Sequence, residues 1–233
     1  MNIQEAIKKG QIILKSNNIK TAELDSEILM SKALKKEKEY IIFNFEDKIS
    51  EKHFRYFNML IGQRSRGEPI AYLLKKKDFW KHEFIVNKDV LIPRPDTEIL
   101  IEQVLKLTKY KSKLNILDVG IGSGCILLSI LKEKKNFYGT GIDKSKKSLN
   151  ICRINTNKLG LNDRVKLFKS DIDNFNHGKY DLIISNPPYI KKYDLKCLEK
   201  DVIDFEPKKA LDGGINGLSE IRKVINKASD LLK

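Results

Sequence analysis

Three glycines within five residues, set between an apolar run and a helical stretch, restrict this chain more than any other feature. Leu114-Asn115-Ile116-Leu117-Asp118-Val119 reads as a short buried strand, and Cys125-Ile126-Leu127-Leu128-Ser129-Ile130-Leu131 as a helix packed on a sheet. Between them lies Gly120-Ile121-Gly122-Ser123-Gly124. Glycines let the backbone come close to a ligand, and the following helix offers free N–H groups at its start. This is a nucleotide-type cradle; the alternative is a generic strand-to-helix turn. The dinucleotide fingerprint Gly-x-Gly-x-x-Gly fails, because Cys125 stands at its sixth position. Asp118 would repel a pyrophosphate. A carboxylate there either orders the turn or holds an ammonium or sulfonium group.

The unit repeats. Phe137-Tyr138-Gly139-Thr140-Gly141-Ile142 is a second strand, ended by Asp143. Asp143 is suited to accept hydrogen bonds from two ribose hydroxyls, or to cap a helix starting near Ser145. Val165-Lys166-Leu167-Phe168 is a third strand, ended by Ser170-Asp171. Asp171 is a candidate contact for an adenine amine, or a turn residue. A fourth apolar run, Asp181-Leu182-Ile183-Ile184, enters Ser185-Asn186-Pro187-Pro188-Tyr189. Two prolines cannot continue a sheet ladder, so the strand stops there. The stiff elbow presents the Asn186 amide, the Pro187 carbonyl and the Tyr189 ring. These suit a planar –NH2 group; a turn that only reverses the chain is the alternative. Ligands of open α/β sheets bind at the carboxyl ends of strands. Asp118, Gly120, Gly122, Gly124, Asp143, Asp171 and Asn186 are therefore expected along one rim.

Residues 1–72 show helical periodicity and no strand pattern. Ile3, Ile7, Ile12 and Ile13 share one spacing, and Leu24, Ile28, Leu29 and Ala33 another. Ser50 is placed to cap a further helix through Phe54, Phe57, Leu60 and Ile61, stopping at Gly67. A small bundle is expected, its apolar stripes forming a core, suited to positioning a macromolecular substrate. Residues 73–95 read as a connecting segment of short extended pieces, and residues 96–233 as the α/β domain, opened by a helix from about Asp96 to Lys109.

The formal net charge of +14 raises nucleic-acid binding. However, lysine outnumbers arginine 38 to 7, a pattern of AT-biased coding, and the charge is spread along the chain. No stretch approaches the roughly 20 apolar residues of a membrane span. Cys125, Cys152 and Cys197 show neither pairing nor metal spacing, which fits reduced thiols in a cytoplasmic protein. No metal constellation is seen.

At this point the chain resembles a known family. Asp118-x-Gly120-x-Gly122-x-Gly124, Asp143 and Asn186-Pro187-Pro188-Tyr189 look like an S-adenosylmethionine-dependent methyltransferase of amino-type nitrogens. Three further segments narrow the resemblance to the protein-(glutamine-N5) methyltransferases, the HemK/PrmC family. They are Leu91-Ile92-Pro93-Arg94-Pro95-Asp96-Thr97-Glu98, Gln63-Arg64-x-x-Gly67-Glu68-Pro69-Ile70-Ala71-Tyr72, and Glu206-Pro207-x-x-Ala210-Leu211-Asp212-Gly213-Gly214. The resemblance implies a Rossmann-like class I α/β methyltransferase domain preceded by a helical bundle. It implies S-adenosyl-L-methionine as cofactor, and the glutamine of the Gly-Gly-Gln motif of peptide chain release factors as substrate. It places Asp118, Gly120, Ile121, Gly122, Ser123, Gly124, Asp143, Asp171, Ile172 and Asn186 at the cofactor. Asn186, Pro187, Pro188 and Tyr189 go to the substrate, with Asn186, Pro187 and Tyr189 catalytic. A monomer acting on a release factor is expected. An adenine-amine methyltransferase of DNA or RNA, and a catalytically impaired release-factor-binding fragment, are the rivals.

Three departures stand out. Lys75 and Lys81 occupy positions where the family has glycine, and Ile172 replaces an aromatic residue that covers adenine. The sequence also stops at Lys233, so the sheet is expected to be shortened, with nothing to pair on the far side of Asp181–Ile184.

Overall fold

Capping residues and apolar spacing set the helices of the first unit. The computed structural model describes residues Met1–Lys233, which divide into two compact units: Met1–Leu74 with Lys200–Phe205, and Lys75–Glu199 with Glu206–Lys233. The first holds α1 (Ile3–Ser16), α2 (Ala22–Leu34), α3 (Lys38–Phe43), α4 (Glu51–Ser65) and α5 (Ile70–Leu74). Asn2 and Glu5 form a reciprocal capping box on α1. Ser50 accepts from the His53 N–H at the start of α4.

The core of this unit is built from Ile3, Ile7, Leu14, Leu29, Met30, Phe57, Leu60 and Ile61. The buried face of α1 runs through Ala6 and Gly10, so Ile12 and Ile13 are exposed rather than core, as is Leu24 on α2. Small residues carry the contact because α1 comes very close to its neighbours. A Cβ at Gly10 would sit 2.6 Å from Ser26 Oγ and 2.7 Å from the Phe57 ring. A buried ion pair joins two of these helices: Arg64 Nε donates to Asp25 Oδ2 at 2.7 Å. Arg64 also donates to the Gly67 and Glu68 carbonyls.

In the second unit, Lys75 takes a left-handed backbone (φ 63°) where glycine was expected. It leads into a hairpin of β1 (Lys76–Phe79) and β2 (His82–Ile85). A short 3-10 turn, Pro95–Thr97, then opens α6 (Glu98–Leu107). The main sheet follows: β3 (Asn115–Val119), α7 (Cys125–Glu133), β4 (Tyr138–Asp143), α8 (Lys146–Lys158), β5 (Val165–Lys169) and β6 (Leu182–Ser185). The chain returns to the first unit as α9 (Lys200–Phe205) and ends with α10 (Ser219–Leu231). The four main strands are all parallel, in the order β5-β4-β3-β6.

Successive side chains of β3 point to opposite faces. Ile116 joins a layer with Leu127, Leu128, Ile130, Phe137 and Ile184. Leu117 and Val119 join Ile142, Ile172, Phe175 and Leu231 on the other side. A strand buried on both faces reads as a continuous apolar run, as this one does. The far edge of β6 is not wholly bare. Tyr180 donates to the Leu231 carbonyl (2.9 Å) and accepts from Lys233 N–H (3.0 Å), a pairing the sequence did not suggest. No helix is long and apolar enough to cross a membrane.

The Asp25–Arg64 pair yields a direct test. Asp25→Ala leaves the guanidinium buried without its partner, which costs about 3–5 kcal/mol. Urea unfolding of the whole chain should show an early transition assigned to the bundle. An unchanged midpoint would mean that water or the neighbouring carbonyls satisfy Arg64.

Candidate active site

Strand order decides where the rim opens. The chain runs outward from β3 through β4 to β5, then returns to the other side of β3 as β6. The reversal between β3 and β6 is the topological switch point at which such sheets take their ligands. In register, Asp118 lies opposite Ile184 and Val119 opposite Ser185. The glycine turn and the Asn186 elbow therefore leave the sheet side by side.

Each glycine of the turn serves a different need. All three have positive φ: 75° at Gly120, 56° at Gly122 and 84° at Gly124. A Cβ at Gly120 would meet nothing within 4 Å, so one face of the turn is open to a ligand. At Gly124 a Cβ would press on Cys152 Sγ at 2.8 Å and on Leu128, so this position admits close helix packing. Ile121 is buried, in space left by the missing side chain of Gly141. The Gly120 and Ile121 N–H groups both donate to the Ile142 carbonyl. Ser123 is buried, and its carbonyl accepts from the Asn155 amide at 2.8 Å. Asn155 also accepts from Ile85 N–H (2.7 Å) and donates to the Ile85 carbonyl (3.0 Å). It ties the glycine turn to β2, and sequence reasoning missed it. The available signal was an amide on the apolar stripe of α8, level with Leu149 and Cys152.

Three carboxylates stand along the rim. Asp118 is 1% exposed and its Oδ2 has no partner. Burial pushes its carboxyl up to about 7, the Leu127 backbone N–H opposing and the Asp143 charge adding to the rise. Asp143 accepts from Gly122 N–H on Oδ2 (3.0 Å) and from Ser145 N–H on Oδ1 (2.8 Å). Burial lifts its carboxyl despite these two bonds. The cap of α8 is Ser145 itself, whose Oγ accepts from Ser148 N–H. Each Asp143 oxygen has a lone pair left for a hydroxyl donor.

Asp171 pairs with Lys144 at 3.0 Å, while its Oδ1 is buried and unpartnered. Burial pushes this carboxyl up, but the Lys144 ammonium, with the Ile172 backbone N–H and the Lys223 charge, holds it below its ordinary value. Asp171 lines an open cavity of about 350 Å³ with Lys144, Lys169, Ser170 and Asn174. Lys144 also reaches Glu220 on α10 at 2.9 Å. Neither Lys144 nor Glu220 was singled out in the sequence, since their meeting depends on α10 packing against the turn Ile172–Asn174 after β5. Ile172 follows Asp171. Its side chain is 3% exposed and packs among Leu117, Val119, Ile142 and Phe175, so it presents almost no surface to a ligand.

At the acceptor side, Ser185 Oγ donates to the Val119 carbonyl at 2.8 Å, holding the end of β6 to β3. The Asn186 Nδ2 donates to Thr97 Oγ1 at 3.4 Å. Pro187 and Pro188 follow, and the Tyr189 ring is 64% exposed. Thr97 belongs to the Leu91–Glu98 motif, but nothing in the sequence assigned it a partner.

Across the sheet, in the order β6, β3, β4, β5, the rim offers an amide acceptor loop, an unpaired buried carboxylate beside an open glycine turn, a second carboxylate with free lone pairs, and a third with an orphaned oxygen. This set of acceptors suits S-adenosylmethionine, which carries a cationic methionine end, two ribose hydroxyls and an exocyclic amine. Comparison with known proteins agrees. Residues 5–74 match the PrmC N-terminal domain family and residues 95–207 the methyltransferase small domain family. The release factor glutamine methyltransferase of Buchnera aphidicola subsp. Acyrthosiphon pisum is 42% identical over 232 residues, covering 100% of this chain and 82% of that protein. That of Clostridium acetobutylicum is 38% identical over 236 residues, covering 100% and 83%. That of Caulobacter vibrioides is 35% identical over 221 residues, covering 94% and 76%. This chain is an S-adenosylmethionine-dependent enzyme of the release factor glutamine methyltransferase family.

Proposed function

We propose that this protein methylates the side-chain N5 of the glutamine in the Gly-Gly-Gln motif of a peptide chain release factor. The order of groups along the rim carries the reading, because it matches donor and acceptor end to end. The helical bundle is assigned to grip the release factor. The protein is taken to act as a cytoplasmic monomer on protein rather than nucleic acid.

An amide nitrogen is a poor nucleophile, because its lone pair is delocalised into the carbonyl. S-adenosylmethionine, when bound, supplies an electron-poor sulfonium methyl and a neutral leaving group. The chain's own residues supply alignment. The Asn186 side-chain oxygen and the Pro187 carbonyl accept the two amide hydrogens of the substrate glutamine, holding the nitrogen in one orientation and favouring loss of its conjugation. The exposed Tyr189 ring packs on the planar amide. Asp118 would hold the cationic end of the cofactor, Asp143 the ribose, and Asp171 the adenine amine. Ile121, Ser123 and Ile172 shape the cradle from beneath. The proton leaves late, to water. Positioning of this kind contributes on the order of 7–11 kcal/mol at best.

The reading makes three predictions. Asn186→Ala should abolish most methyl transfer while leaving the cofactor dissociation constant within a few-fold. Incubation with labelled methyl donor and either release factor or nucleic acid checks this, and label on the nucleic acid would overturn the substrate assignment. Asp143→Ala should weaken cofactor binding by roughly 1.5–3 kcal/mol, read by calorimetry. Undiminished binding would restrict Asp143 to ordering Gly122 and Ser145.

The third concerns pH. The folded, ligand-free protein holds the Asp118 carboxyl near 7, above its unfolded value. Its contribution to stability is thus full at acid pH and is lost as pH rises toward about 7. A cationic ligand needs the ionised form, so affinity should fall about tenfold per pH unit below about 7 and level off above it. Asp118→Asn should flatten that profile and raise the melting temperature of the ligand-free protein at alkaline pH. A wild-type affinity indifferent to pH would place the cation elsewhere.

A further inference from the structure

We propose that Thr97, Gly213 and Gly217 are positioning residues for methyl transfer, acting through a brace that closes around the Asn186-Pro187-Pro188-Tyr189 loop from two sides. The proposal rests on the reading that Asn186 holds the acceptor amide. Its motive is mechanical. β6 has a ladder only on its β3 side; beyond its ends the chain makes single bridges, Tyr180 with Leu232 before it and Ile190 with Asp212 after it. A loop at the end of such a strand needs rigidity from elsewhere, since a misplacement of about 1 Å can cost on the order of 100-fold in rate.

One side of the brace lies behind Tyr189. The Ile190 N–H donates to the Leu211 carbonyl (3.2 Å), Gly213 N–H to the Ile190 carbonyl (2.8 Å), and Lys192 N–H to the Gly214 carbonyl (2.9 Å). The two segments approach so closely that no side chain fits between them. A Cβ at Gly213 would lie 2.8 Å from Tyr189 Cα and 2.9 Å from the Pro188 carbonyl oxygen. A Cβ at Gly217 would collide with the Tyr189 carbonyl oxygen. These glycines lie against the backbone of the acceptor loop, where neither partner can yield by rotating a side chain.

The other side comes from residues 92–97. The buried Glu206 carboxylate accepts from the Ile92 N–H at 3.2 Å and from the Arg94 guanidinium. It anchors the start of the Glu206–Gly217 segment to the loop that leads into Thr97. Thr97 Oγ1 then accepts from Asn186 Nδ2. An amide has one donor end and one acceptor end. With its –NH2 held by Thr97, Asn186 turns its oxygen to the glutamine. Asn186, Thr97, Arg94, Glu206, Gly213 and Tyr189 thus complete a circuit in which three separated sequence motifs fix one side-chain orientation.

The test uses the full chain with labelled S-adenosylmethionine and a purified release factor. Single-turnover rate, KM for the release factor, cofactor dissociation constant and melting temperature are measured for Thr97→Val, Thr97→Ser, Gly213→Ala and Asn186→Ala. Thr97→Val should lower the rate about 10-fold or more, with KM and cofactor affinity within about two-fold, and Thr97→Ser should restore it. Gly213→Ala should lower it about 100-fold while still binding cofactor. Wild-type rates in Thr97→Val and Gly213→Ala, beside an inactive Asn186→Ala, would overturn the brace and leave the acceptor assignment standing. Loss of cofactor binding in step with rate would also overturn it, by reducing both positions to folding. An active Asn186→Ala would remove the acceptor assignment itself.

Discussion

The parallel pairing of β3 with both β4 and β6 is the constraint on which the rest of the site depends. Parallel strands deliver their carboxyl ends to one edge, and the reversal of direction about β3 opens a gap at that edge. The glycine turn, Asp143, Asp171 and Asn186 are far apart in sequence, yet this pairing aligns them at the spacing of adjacent strands. The two apolar layers that flank β3 hold it in place. Leu127 is seated where Gly139 leaves room, and Ile121 where Gly141 does. Strand glycines ordinarily weaken a sheet. Here they let the helix and the turn come down close on β4.

The rim carries groups that folding alone does not reward. An unpartnered buried polar atom costs about 1–3 kcal/mol, more when it is ionised. Asp118 and Asp171 each hold one such oxygen. Both lie near strand ends along the rim, and Asp171 holds its other oxygen to Lys144 at 3.0 Å. Asp143 is the counterexample that explains the difference. Its oxygens are each engaged by one backbone N–H, so it orders the turn and still has capacity for hydroxyls.

The Asn186–Tyr189 loop is held for reasons that belong to three different stretches of chain. Pro187 and Pro188 limit φ within the loop itself. Ser185 ties the strand end to Val119. The Leu211–Gly214 segment is stitched to residues 190–192 by backbone hydrogen bonds that ask for glycine rather than for any side-chain chemistry. Such contacts leave only small residues as their trace.

Much of this was legible in the sequence, and the division follows the range of the forces involved. Local signals were enough for the strand ends, the glycine turn, the Ser50 cap and the proline elbow, because each depends on residues a few positions apart. Apolar period alone misjudged α1, where Ile12 and Ile13 are exposed and Ala6 and Gly10 make the contact; small residues give little hydrophobic signal, and only close helix approach gives them weight. The side chain of Ile172 lies in the core, which the sequence did not show, because the burial of a side chain beside a strand end depends on what packs beneath it. The sequence by itself determined that an α/β sheet carries carboxylates and an Asn-Pro-Pro-Tyr loop at its strand ends. Tertiary structure alone decided that Asn155 clasps the glycine turn, that Lys144 bridges Asp171 and Glu220, and that Thr97 meets Asn186. Those pairings join residues some 30 to 90 positions apart, and only the packing of whole helices and strands sets distances over such separations.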